Sequence, residues 1–193
     1  MKNGTTNVLI VGVGGQGVLL ASEILIEVAK LMGLDAKKSE VHGMSQRGGI
    51  VTSHVRFGKK VYSPLIPHRE SDVILAFELA EGLRWVGELR PGGKIIVNTQ
   101  KIIPTITTTG KFFYPEKAEE KIRSYSPGAT LLDAYEIALE LGNPRMVNTI
   151  LLGVLSKSID LEEDKWIEVI QRMAPKGTAE INRTAFLKGK EID

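Results

Sequence analysis

The segment Gly12-Val-Gly-Gly-Gln-Gly17 restricts this chain most. It directly follows the apolar run Val8-Leu-Ile-Val11 and directly precedes apolar residues at Leu20, Ile24, Val28 and Leu31. The run is short and rich in β-branched residues, as a buried strand is, and spacings of three and four put the later residues on one helical face until Gly33. A strand, a glycine turn and a helix open an α/β fold. The N–H groups and the partial positive end of that helix face the turn, so phosphate is its natural guest. Gly12 would permit the tight turn, Gly14 the close approach of a ligand and Gly17 close packing of helix on strand, with Gly15 and Gln16 as extra donors. The same glycines would equally serve a βα turn that binds nothing.

Further along, Asp35 to Val41 reads as a second strand despite its lysines, and His42 to Gly49 as a loop. Val51, Ser53, Val55 and Phe57 alternate with Thr52, His54 and Arg56, and Gly58-Lys-Lys leads into Val61-Tyr62 as a hairpin would. The runs Val73 to Phe77 and Lys94 to Val97 flank a helix holding Ala80, Leu83 and Val86 that Pro91-Gly-Gly93 would close, a unit long enough for a parallel crossover. Residues 101 to 128 carry three prolines and one charged helix near Pro115 to Tyr125. Ala129 to Leu132 is a last short strand, and helices follow: an apolar one from Asn148 to Ile159, one capped by Asp160 with Glu163 reaching back, and one capped by Thr178. The expected class is α/β: a Rossmann-like, three-layer, mixed but mostly parallel sheet with an antiparallel hairpin and C-terminal helices. With 193 residues the chain suits a single domain, 1–193.

Composition narrows the chemistry. There are no cysteines, so disulfides, thiolate nucleophiles, zinc fingers and cysteine-ligated iron–sulfur clusters have no place on this chain. A formal charge of +2 offers no overall grip on nucleic acid or anionic membrane, so a charged ligand must be held locally. Met1 to Asn7 lacks the apolar stretch of a signal peptide and no apolar run is long enough to span a bilayer, which makes the cytoplasm the expected compartment.

The loop Glu40-Val-His-Gly-Met-Ser-Gln-Arg-Gly-Gly49 packs carboxylate, imidazole, hydroxyl, amide and guanidinium groups among permissive backbones. Its candidate binding residues are Glu40, His42, Gly43, Met44, Ser45, Gln46, Arg47, Gly48 and Gly49. Arg47 could pair bidentately with a carboxylate or phosphate while neighbouring N–H groups face the same anion. A plain dinucleotide site needs an acid at the end of the second strand for the ribose, and neither Asp35 nor Glu40 is a clean match. His42, His54 and His68 lack metal-ligand spacing, and no residue reads as a catalytic nucleophile or metal ligand. Glu78, Asn98 and Asp133 fall just beyond predicted strands, where ligands bind but where helix caps also sit.

With Gly12-Val-Gly-Gly-Gln-Gly-Val18, Ser39-Glu-Val-His-Gly-Met-Ser-Gln-Arg-Gly-Gly49, Ser53-His-Val-Arg56, Ser63-Pro-Leu-Ile-Pro67 and Asp72 to Glu78 in view, nearly the whole chain resembles the gamma-type pyruvate/ketoisovalerate oxidoreductase domain of 2-oxoacid:ferredoxin oxidoreductases. The His-Gly-Met-Ser-Gln-Arg stretch points to the indolepyruvate branch, whose beta subunits are the counterparts of this chain. The resemblance implies ferredoxin-dependent oxidative decarboxylation of aryl-pyruvates to aryl-acetyl-coenzyme A by a complex. Thiamine diphosphate, magnesium and 4Fe-4S clusters would lie on an alpha subunit, and the isolated chain would be inactive. The glycine turn (Gly12, Gly14, Gly15, Gln16, Gly17) and the second loop would then line a cleft for coenzyme A or the 2-oxoacid carboxylate. The alternatives are a gamma subunit acting on pyruvate, 2-oxoisovalerate or 2-oxoglutarate, a free-standing NAD(P)-binding oxidoreductase, and a non-catalytic subunit whose loops only pack against a partner.

Overall fold

The computed structural model describes residues 4–43, 49–103 and 113–192, with the backbone alone at residue 42. In chain order the elements are β1 (Thr5–Val13), α1 (Val18–Leu31), β2 (Asp35–His42), β3 (Ile50–Gly58), β4 (Ser71–Ala76), α2 (Leu79–Trp85), β5 (Leu89–Asn98), α3 (Ala118–Tyr125), β6 (Thr130–Leu132), α4 (Ala134–Glu140), α5 (Val147–Ser156), α6 (Glu163–Met173) and α7 (Ala179–Lys190). The sheet runs β2-β3-β1-β4-β5-β6. β1, β4, β5 and β6 pair in parallel, while β3 is antiparallel to both β1 and β2.

The central strands are apolar throughout because both faces are covered. Val8 and Ile10 of β1 and Val73 and Leu75 of β4 join the core beneath α1, α4, α5, α6 and α7. Leu9 and Val11, with Ile74 and Ala76, join a second core beneath α2 and α3. The α/β, three-layer, mixed sheet is therefore the one expected, with several local differences.

The antiparallel hairpin is β2–β3, not a return at Val61-Tyr62. Asp35 accepts from Val61 N (2.9 Å), which turns that segment away from the sheet. The lysines of β2 suit it because it is an edge strand: Lys37 pairs with Asp35 (3.1 Å) and Lys38 with Glu40 (2.8 Å). In α1, Ile24 and Val28 face inward as expected, but Leu20 and Leu31 are more than a third exposed and Val18, Ala21 and Leu25 complete the buried stripe instead.

Pro91-Gly-Gly93 does not close a helix but lies within β5, where the pairing slips from Ser71 opposite Leu89 to Val73 opposite Lys94. A Cβ at Gly93 would come within 2.9 Å of Ser71 O, so the bulge needs glycine. Asp160 is not a cap, since Leu161 is drawn into the core and α6 begins at Glu163 after Glu162. Thr178 does sit at the α7 cap position, but its hydroxyl donates back to Pro175 O (2.8 Å).

The C-terminal layer relies on a close helix crossing that periodicity does not reveal. A Cβ on Gly153 of α5 would fall 2.1 Å from Phe186 O, and one on Gly189 of α7 would fall 2.1 Å from Ile150 O. Both clashes are with backbone, so relief requires moving a helix. Gly153→Ala is expected to lower unfolding free energy by about 1–3 kcal/mol, the usual cost of overpacking, despite alanine's better helix propensity. Urea denaturation showing equal or greater stability would contradict this close crossing.

Candidate functional site

The two glycine loops lie at one edge of the sheet. β1 and β4 end there, and so do the close of β2 and the start of β3, because β3 runs against both of its neighbours. Gly14 N donates to Gly49 O at 2.9 Å, which ties the first loop to the second, and Gly43 N donates to Ile50 O at 2.8 Å at the mouth of the second. Met44, Ser45, Gln46, Arg47 and Gly48, and the side chain of His42, lie outside the described residues.

Within the first loop the structure reassigns the glycines. Gly12 is the last but one residue of β1 rather than the tight turn. Its bare Cα is needed because a Cβ would lie 2.9 Å from Gln16 Oε1, Phe77 Cβ and Val18 Cγ2. Gln16 is not a free donor. Its Oε1 accepts from Val13 N (2.9 Å) and its Nε2 donates to Phe77 O (2.8 Å), so the amide fastens the loop to the end of β4. Gly15 and Gly17 carry the turn, with φ of 97° and 85°, a left-handed region that favours glycine. Gly15 is exposed with open space where a side chain would be, and Gly17 abuts Asn148.

Gly17 is the N-cap of α1 and offers no side-chain oxygen, and the first turn holds no acidic residue. Ala21 N bonds to Gly17 O, whereas Val18, Leu19 and Leu20 keep first-turn N–H groups with no acceptor among the described residues. Donors without acceptors at a positive helix end constitute an anion-receptive surface. Asn148, where the sequence starts its apolar helix, does not cap it, because Met146 occupies the α5 cap position. It lies instead in the first turn of α5, against Gly17.

Glu40 reaches α1. Its Oε1 accepts from Lys38 Nζ (2.8 Å), and the buried hydroxyls of Ser22 (3.1 Å) and Ser53 (3.5 Å) approach the same oxygen. Burial opposes the charge on Lys38, yet its hydrogen bonds to Glu40 and Glu23 hold its pKa above the ordinary value. Asp35 stands at the far end of β2, held by Val61 N and Lys37. β3 also separates β2 from β1, so an acid on β2 is two strand spacings from the glycine turn, about 9–10 Å.

Glu78, Asn98 and Asp133 are structural at this edge. Glu78 caps α2 through Glu81 N (2.9 Å), and its other oxygen takes Ile102 N (3.2 Å) and the Tyr114 hydroxyl (2.5 Å). Asn98 bridges Phe77 O and Ala134 N, and Asp133 caps α4. Burial, with the carboxylate of Glu78 adding to it, pushes the Tyr114 hydroxyl far above the ordinary tyrosine range. Leu19, Leu20, Val41 and Ile50 stand exposed beside the glycine loops, and Ile103 and Phe113 stand exposed next to the residues that Glu78 holds.

A concavity of about 960 Å³ lies at the opposite edge, lined by Arg90, Lys94, Tyr125 and Lys157 among others. Helices α3 and α5 finish there, so its cations neutralise carbonyl ends and leave little preference for an anion. The smaller, donor-rich surface at the glycine loops is the better site. Among the described residues no group of three or more metal-ligating side chains converges.

The family model for pyruvate ferredoxin/flavodoxin oxidoreductase matches residues 7–192. The chain belongs to that family. This member is 39% identical over 188 residues to the indolepyruvate oxidoreductase subunit IorB of Thermococcus kodakarensis, covering 95% of this chain and 93% of the relative. It is 30% identical over 159 residues to the pyruvate/ketoisovalerate oxidoreductases common subunit gamma of Pyrococcus furiosus, covering 81% and 80%. Its fold matches the 2-oxoglutarate:ferredoxin oxidoreductase of Magnetococcus marinus, solved with 2-oxoglutarate, coenzyme A and succinyl-CoA bound. The TM-score is 0.75 at 20% identity, over 98% of this chain and 31% of that one.

The histidines beyond residue 42 lie away from this edge. His68 faces Glu88 (3.0 Å) at the other end of the sheet. His54 is half-buried and accepts from Ile66 N through Nδ1 (3.2 Å), so burial and this bond both favour the neutral ring. Its pKa is held below the ordinary 6.5, mainly by burial. The unfolded chain therefore binds the extra proton first, and stability should fall as pH drops below 6.5 toward the lowered folded value. His54→Gln should flatten that part of a denaturation-versus-pH curve, and an unchanged slope would contradict the assignment.

Proposed function

We propose that this chain is the beta subunit of an indolepyruvate ferredoxin oxidoreductase. In that reaction an aryl-pyruvate and coenzyme A yield aryl-acetyl-coenzyme A and carbon dioxide, and two electrons pass to ferredoxin. The greater identity with the indolepyruvate subunit than with the common gamma subunit supports this substrate class. A chain without cysteine has no thiolate ligands for iron–sulfur clusters, which supports a reading in which an alpha subunit carries them together with thiamine diphosphate and magnesium. Those groups would supply the decarboxylation and electron transfer.

The contribution of this chain is to bind and orient. The Gly14–Gly49 hydrogen bond carries the reading, because it joins the end of the second glycine segment to the turn that leads into α1, whose first-turn donors have no acceptor among the described residues. Such donors fit the phosphoryl groups of coenzyme A, or a carboxylate, with no protein acid competing in the first turn. Arg47, in the second loop, would add a fixed positive charge and a bidentate fork to the same cleft. The exposed Leu19, Leu20, Val41 and Ile50 would be covered by the alpha subunit, which would exclude water from the bound ligand.

A free-standing nicotinamide enzyme fits poorly, since both acids of β2 are held in other bonds and stand one strand too far from the turn. Arg47→Ala is expected to leave assembly intact and to raise the KM for coenzyme A or for indolepyruvate about tenfold or more, as the loss of a charged hydrogen bond does. Steady-state kinetics of the co-purified complex is the check, and unchanged Michaelis constants for both substrates would refute the cleft assignment.

A further inference from the structure

Asn148 is nine-tenths buried, at 9% exposure, in the first turn of α5. The Thr149 hydroxyl, which donates to Asn182 Oδ1 at 2.8 Å, lies 3.4 Å from Asn148 Oδ1, the other end of the amide from Nδ2. That nitrogen has no acceptor among the described residues. It is the atom nearest the bare Cα of Gly17, 3.1 Å from where a Cβ would be. Gly17, the cap of α1 beside it, has no side chain to accept from it.

We propose that Asn148 is a ligand-binding residue that donates from Nδ2 to a phosphoryl oxygen held at the N terminus of α1. The inference rests on the reading that this edge receives coenzyme A, and it narrows which part of that molecule is held and by what. Two observations converge independently: an uncapped helix end without a nearby carboxylate, and a buried amide from a different helix turned toward the same spot. A phosphoryl group suits them because its oxygens spread tetrahedrally, so one can meet the α1 amides while another meets the Asn148 amide from the side. Glycine at position 17 keeps the two donor sets in contact, since any Cβ there would stand between them.

The test is Asn148→Asp in the co-purified complex. The variant keeps the side chain's shape and the oxygen beside Thr149, and a carboxylate in the first turn of a helix is electrostatically favourable, so α5 should fold. It replaces the donor with a negative charge facing the phosphoryl group. The KM for coenzyme A should rise about tenfold to a hundredfold, while the KM for indolepyruvate and the copurification ratio remain unchanged. Asn148→Ala, which removes the donor without adding charge, should raise the same KM by a smaller factor.

Dephospho-coenzyme A locates the group. If the penalty persists with it, the amide holds the diphosphate, and if the penalty disappears, the amide holds the 3′-phosphate. An unchanged KM for coenzyme A in both variants would overturn the proposal, as would an effect confined to indolepyruvate. A complex in which Arg47→Ala impairs binding and neither Asn148 variant does would retain the proposed function and lose this inference.

Discussion

One backbone hydrogen bond, from Gly14 N to Gly49 O, organises the functional edge. It joins the turn that follows β1 to the residue that precedes β3. The Gln16 amide supports it from below by binding Val13 N and Phe77 O, and Asn98 continues the line from Phe77 O to Ala134 N. Each of these side chains bonds to backbone at or just beyond a strand end, so the edge is rigid beneath and open above. An anion arriving there meets donors already in place, which lowers the ordering cost of binding.

The insertion of β3 between β1 and β2 explains why a glycine turn that resembles a dinucleotide fingerprint belongs to a different kind of site. An ordinary dinucleotide fold sets β2 beside β1, and its terminal acid reaches the ribose. Here the neighbour is antiparallel, the acid is displaced, and Gly49 at the start of that neighbour's segment is bonded to Gly14 of the turn. The proposed role, to hold a phosphorylated ligand for chemistry performed on another chain, is in keeping with a family whose members include subunits of oxoacid oxidoreductases.

Much of the fold was legible because strong periodicity leaves few choices. Val8 to Val11 and Val73 to Phe77 are apolar at every position only because helices cover both faces of the sheet. Tertiary detail was less visible. Part of the α1 face was misjudged because Val18 and Ala21 are buried where Leu20 and Leu31 are not, and size alone does not say which residues face the sheet. Asp160 carried a capping signal that the burial of Leu161 overrode. At the site, the glycine positions were plain, but their roles were not: Gly12 is set by packing against Phe77 and Gln16, which only the fold brings together. Asn148 had no local pattern to mark it, since its partner Gly17 lies far away in sequence.

Amide hydrogen exchange on the co-purified complex, with and without saturating coenzyme A, tests the central claim directly. Ligand bound at the glycine edge should slow exchange at Gly15 and at Val18 to Leu20, whose first-turn amides have no acceptor among the described residues. Unchanged exchange there, with protection instead at residues 89–94 and 126–128 around the opposite concavity, would contradict the account.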